Sequence, residues 1–166
     1  LKSKPLFELS VKSLNAMGNI FFLRHILASL AINEIYLNNI KIAHNLVERL
    51  KDIDKENKRW SFSKKDAVSS AFALLAFHEN KQDIFYHWTE DAIKYAERLN
   101  VYHYIYKVNC CLAPCYASLG NVDKAVALLE RSIQVSIDLG NPYAEARSRI
   151  ILASILYEPL AKVHVM

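Results

Sequence analysis

A chain of 166 residues, 52% hydrophobic and 23% charged, is long enough to bury a core, while three glycines and four prolines leave little turn chemistry for β-hairpins. The formal charge of +4 is interspersed with acidic residues, as on a solvated helical surface, and no basic run with interleaved aromatics marks a nucleic-acid partner. The longest apolar runs, near 71–77 and 150–157, fall short of the roughly 20 residues of a membrane span; no secretory signal is visible and three clustered cysteines make no disulfide framework, so an intracellular protein, cytoplasmic or nuclear, is expected.

Residues 6–16 carry Leu6, Leu9, Val11 and Leu14 at helical spacing and end in Met17-Gly18-Asn19, a signature that returns as Leu139-Gly140-Asn141. A helix follows from 20 to 37 with Leu30-Ala31 inside it, and Asn38-Asn39 supplies the turn. The next helix has Ile40, Ala43, Leu46 and Val47, the pattern repeated by Val122, Ala125, Leu128 and Leu129. Residues 51–59 are charged and poor in apolar side chains, which predicts a loop or a frayed helix end. Ser63 and Asp66 resemble a capping box and place a helix start just before Ala67, with Trp60 and Phe62 folding back onto the stack. That helix contains Phe72-Ala73, and Asn80 replaces a turn glycine.

Its partner, residues 82–99, has Ala92, Ile93 and Leu99 where a later helix has Ser132, Ile133 and Leu139. Phe85, Tyr86 and Trp88 are larger than this register wants, which predicts a wider or distorted crossing. Residues 101–106 alternate like a strand, but the repeat register of about 40 residues places them in a helix. Ile105, Val108, Leu112, Cys115 or Tyr116, and Leu119 then form one apolar stripe. Gly120 closes the helix, Asn121 or Asp123 caps the next, and Ala125 and Ser132 are small where two backbones should meet. Pro114 lies inside the earlier helix and should bend it. After Gly140, Pro142 suits a first turn, Leu152-Ala153 lies in the helix it opens, and Pro159 is expected to stop that helix.

The unit at 101–141, with Leu112-Ala113, Tyr116, Gly120, Ala125 and Ser132, resembles the tetratricopeptide repeat. The resemblance implies an all-α fold: a right-handed α-solenoid of antiparallel helix pairs, about eight helices. It divides the chain into a half repeat at 1–18, repeats at 19–60, 61–100 and 101–140, and a half repeat at 141–158, with 159–166 as a tail. The whole of 1–158 is then one solenoid segment of a longer chain, in contact with its parent at both ends. Repeats of about 40 residues exceed the usual ~34. Similar long repeats occur in peptide-sensing regulators and in the fifth subunit of the anaphase-promoting complex.

The resemblance implies a non-catalytic protein-interaction scaffold within a larger assembly, such as a ubiquitin-ligase or cell-cycle complex. The alternative is a regulatory domain that senses a peptide or other ligand. In the family the first helices line the concave face. Carried onto this chain, that face holds His25, Ile32 and Ile35, then Ser70, Leu74 and Phe77, then Lys107 and Cys110, then Arg147 and Ser154. An apolar end and a basic end point to a protein or peptide segment with hydrophobic anchors and an acidic group. Ala28-to-Ile32 and Ser70-to-Leu74 depart from the family's clamp for a terminal carboxylate.

No catalytic residues, metal ligands or cofactors are expected. Cys111 and Cys115 are one helical turn apart, but a zinc site needs four ligands and no second pair is evident, so buried thiols acting as small apolar groups are expected. The histidines His25, His44, His78, His87, His103 and His164 make no close pair with a carboxylate base, and no nucleophile motif or glycine-rich phosphate loop appears.

Overall fold

The computed structural model of the chain describes residues 3–56, 65–99 and 102–163. Among the described residues there are eight α-helices and no strand: α1 (Ser3–Ala16), α2 (Ile20–Tyr36), α3 (Ile40–Glu56), α4 (Lys65–His78), α5 (Gln82–Leu99), α6 (Tyr102–Ser118), α7 (Val122–Asp138) and α8 (Pro142–Val163). None of these helices is long and apolar enough to cross a membrane. The expected all-helical class is what the described chain adopts.

The same device ends five of these helices. Gly18, Asn38, Asn80, Gly120 and Gly140 all have positive φ. The following amide reaches back five residues in every case: Asn19 to Leu14, Asn39 to Glu34, Lys81 to Ala76, Asn121 to Tyr116 and Asn141 to Ser136, at 2.8–3.0 Å. A left-handed residue followed by this bond satisfies carbonyls that a helix end leaves open and turns the chain sharply. Asn19, Asn121 and Asn141 then accept from the amides of Phe22, Lys124 and Ala144, so one residue ends a reversal and caps the next helix. Asn38 and Asn80 do the work of glycine because asparagine tolerates the left-handed region better than other side chains.

The chain forms two compact units, Leu1–Ala92 and Ile93–Met166, with the boundary inside α5. In the first, α2 packs on α1, α3 and α4, and α3 also meets α4. Its core holds Leu27, Ala31 and Ile35 of α2, Ala43, Val47 and Leu50 of α3, and Ala71, Ala73 and Leu74 of α4. Phe85 is fully buried, and Phe72 meets Trp88 edge-on with centroids 4.6 Å apart, so rings fill the crossing of α4 with α5. In the second unit α7 packs on α6 and α8, and α6 also meets α8. Leu112, Ala113, Ala125, Leu129 and Ser132 are fully buried, so the small residues belong to the core of this unit. Asn109 adds a buried bond from its side-chain amide to the Leu128 carbonyl, 3.0 Å.

The strand-like stretch after 101 is helical from Tyr102, as the register requires. The charged stretch is not a loop through Glu56, where it continues α3 to its end, and 57–59 lie outside the described residues. Tertiary pairing overrides its poor apolar content. Asp54 grips the wholly buried Arg24 of α2 with both oxygens, accepting from Nε and, at 3.0 Å, from Nη2. Lys51–Glu48 and Lys55–Asp52 add pairs one turn apart. Pro159 does not stop α8, which runs on to Val163. Pro114 likewise lies inside α6. An interior proline removes one donor, here those facing the carbonyls of Ile155 and Cys110, and the turns on either side hold the helix. Trp60, Phe62 and the capping box of Ser63 and Asp66 lie outside the described side chains, although α4 begins at Lys65, close to the expected start.

Two substitutions test this packing. Asp54→Ala strips the buried guanidinium of its bidentate carboxylate and is expected to cost about 3 kcal/mol, whereas Glu48→Ala, at an exposed pair, costs under about 0.5 kcal/mol. Ala125→Leu overpacks the α6–α7 crossing and costs roughly 1–3 kcal/mol. Urea unfolding of each variant reads these differences; equal losses for Asp54→Ala and Glu48→Ala would contradict the assignment of the buried pair.

Candidate functional site

Residues of the expected concave face divide by burial. On α2 and α4, Ile35, Ser70 and Leu74 are buried, and His25, Ile32 and Phe77 are half-buried. Phe77 is used by its neighbours, with His78 and Phe85 rings each 5.8 Å away. On α6 and α8, Cys110 is buried, whereas Lys107, Arg147 and Ser154 are exposed. First helices that pack on each other as α2 on α4 and α6 on α8 take part of this row into the interior.

The second unit gathers the chemistry. Arg147 of α8 donates from Nη1 to the Tyr106 hydroxyl of α6 at 3.5 Å. Tyr106 is buried, and that burial raises its phenol pKa above the ordinary tyrosine value, only partly opposed by the Arg147 charge. Among the described residues Arg147 makes no ion pair. The exposed Arg131 and Arg149 do, with Glu97 and Glu145. Arg147 is thus a guanidinium steadied by the Tyr106 phenol, with N–H groups left over for a carboxylate.

Cys110 lies one turn beyond Tyr106, with Sγ 3.3 Å from the Ser148 hydroxyl oxygen. Ser148 spends its proton on the Ala144 carbonyl at 2.9 Å, so the thiol is the donor to Ser148. Burial raises the Cys110 pKa and pushes Cys115 up to about 12. Burial thus holds both thiols in the protonated form more firmly than in a free cysteine. Among the described residues no three His, Cys, Asp or Glu side chains come together as a metal site.

The exposed feature beside this cluster is a stripe along α8. Tyr143, Arg147, Ile150, Ser154 and Tyr157 follow one another at steps of four, three, four and three, on one face of the helix. Tyr143, Ile150 and Tyr157 are 70%, 69% and 66% exposed, which is unusual for three large side chains in a row. The sequence reading placed Arg147 and Ser154 here but missed Tyr106 and Tyr143. Their positions four residues before Cys110 and before Arg147 were the available signal, since side chains one turn apart share a face. The sequence matches no protein-family model and no curated protein.

The raised thiol pKa has a consequence with a definite sign. A group whose folded pKa exceeds its unfolded value holds its proton longer when folded, so stability is lost as pH rises between the two values. For Cys115 the window runs from its ordinary 9.0 to about 12. The stability of wild type is therefore expected to fall through that interval more steeply than that of Cys115→Ala, measured by urea midpoints from pH 8 to 11. Parallel profiles would show that Cys115 is not held protonated by the fold.

Proposed function

We propose that the chain is a non-catalytic protein-interaction scaffold, a segment of a larger assembly built from antiparallel helix hairpins of the tetratricopeptide type stacked into a right-handed solenoid. The neighbour pattern supports the stacking: a first helix that meets both its own partner and the next first helix is what stacked hairpins require, and α2 with α3 and α4, or α6 with α7 and α8, has that pattern. The recurrence of one turn device at 18, 38, 80, 120 and 140 supports a repeated unit.

The observation that carries the functional reading is the α8 stripe. Two tyrosines and an isoleucine offer hydrophobic contact at little entropic cost, and Arg147 sits between them with Lys107 exposed on α6. The complementary partner is a protein segment with apolar anchors one or two turns apart and an acidic group between them. The fully buried aliphatic and alanine core and the protonated thiols are features that support a platform rather than a reaction centre.

Titration of a fluorescent peptide carrying two leucines around a glutamate tests this. Arg147→Glu combined with Lys107→Glu is expected to weaken binding about tenfold or more, and Ile150→Asp to weaken it similarly, with helicity unchanged in each. Equal affinity of wild type and both variants would overturn the reading.

A further inference from the structure

Helix α8 is apolar on two sides. On one, Ala144, Ser148 and Ile155 are buried where α8 meets α6 and α7. On the other, Tyr143, Ala146, Ile150, Ala153 and Tyr157 follow at steps of three, four, three and four, and all are exposed. At about 100° per residue this whole row lies within about 60° of Ile150. A helix apolar on opposite sides is built for neighbours on both, and here only one side has them.

The exposed face is complementary to itself when reversed. Seven residues to either side of Ile150 stand Tyr143 and Tyr157; four to either side, Ala146 and Ser154; three to either side, Arg147 and Ala153. Two antiparallel helices related by a two-fold axis through Ile150 bring the members of each such pair together. Tyr143 then lies on Tyr157 of the second copy, Ala146 on its Ser154, the hydrocarbon stem of Arg147 on its Ala153, and Ile150 on Ile150. Ring meets ring, small residues let the backbones approach, and no like charges are placed opposite each other. Covering the face costs little in lost hydrogen bonds. The Ser154 hydroxyl already donates to the Ile151 carbonyl at 2.7 Å, and Glu145 and Arg149, beside the row, pair with each other at 2.8 Å. A foreign segment has no reason to match this symmetry, whereas a second copy requires it.

We propose that α8 pairs antiparallel with α8 of a second copy of this chain, about a two-fold axis at Ile150. The inference rests on the reading of the α8 stripe as a docking surface and assigns that surface to a second copy whenever no other segment holds it. The paired length from Tyr143 to Tyr157 is about 21 Å, short for a permanent dimer, so a dissociation constant of roughly 10–100 µM is expected.

Sedimentation velocity of the chain from about 5 to about 500 µM tests the assignment and is expected to show monomer passing into dimer. Ile150→Asp sets two carboxylates against each other on the axis and is expected to weaken dimerisation at least about tenfold, while Lys107→Glu, on α6 and outside the face, leaves it unchanged. Cross-linking by copper–phenanthroline oxidation fixes the register, with the wild-type chain and its own three cysteines as the blank. Ile150→Cys is expected to cross-link to itself, and Tyr143→Cys to cross-link to Tyr157→Cys but not to itself. A chain that stays monomeric at every concentration, or Tyr143→Cys that joins to itself as readily as to Tyr157→Cys, would overturn the proposal. Titration with the leucine and glutamate peptide reads the docking surface separately. A monomer that binds the peptide through α8 overturns the dimer and leaves the functional reading intact; a dimer of the stated register that ignores the peptide supports the dimer and removes the peptide reading.

Discussion

The fold rests on how its helices end. A residue in the left-handed region, one amide bonded five residues back, and in three cases an asparagine that caps the helix to come reverse the chain within three residues. So short a connection leaves the next helix no option but to run back along the last. With that geometry imposed, the small residues Ala31, Ala43, Ala73, Ala113 and Ala125 fall at the contacts, and all are fully buried. Packing and turn then reinforce each other, the agreement between local and tertiary preference that gives a sequence one structure.

Burial of charge is the second constraint, and the two units handle it differently. In the first, Arg24 and Glu34 are taken fully inside α2, one gripped by Asp54 and the other held by Asn39. In the second, the buried polar groups described are neutral, among them Asn109, Ser132, Ser136, Ser148 and two thiols, and Lys107 and Arg147 are exposed. The first unit therefore has charge in its interior, and the second a cationic and aromatic stripe.

Much of the helical course was legible because it depends on few residues. Gly18, Gly120 and Gly140 announce their turns, Asn38 and Asn80 substitute for the same reason, and the recurring pair at Leu30-Ala31, Phe72-Ala73 and Leu112-Ala113 recovers the helix at Tyr102 against its strand-like composition. What stayed hidden depends on partners far along the chain. Nothing around Lys51 reveals that Asp54 is needed by Arg24, so a charged stretch read as a loop is helix through Glu56. Pro159 reads as a stop although the helix continues through it to Val163. At the candidate site, Arg147 and Lys107 were visible as basic residues in register. Tyr106 was obscured because only the meeting of α6 with α8 brings its hydroxyl to Arg147.

Amide hydrogen exchange at the turns bears most directly on the account. Asn39, Lys81, Asn121 and Asn141 have exposed side chains, yet their backbone amides close the helix-ending bonds. They are predicted to exchange as slowly as amides inside the last helical turn preceding them. Exchange at the rate of an unstructured chain at these positions would contradict the repeated reversal from which everything else follows.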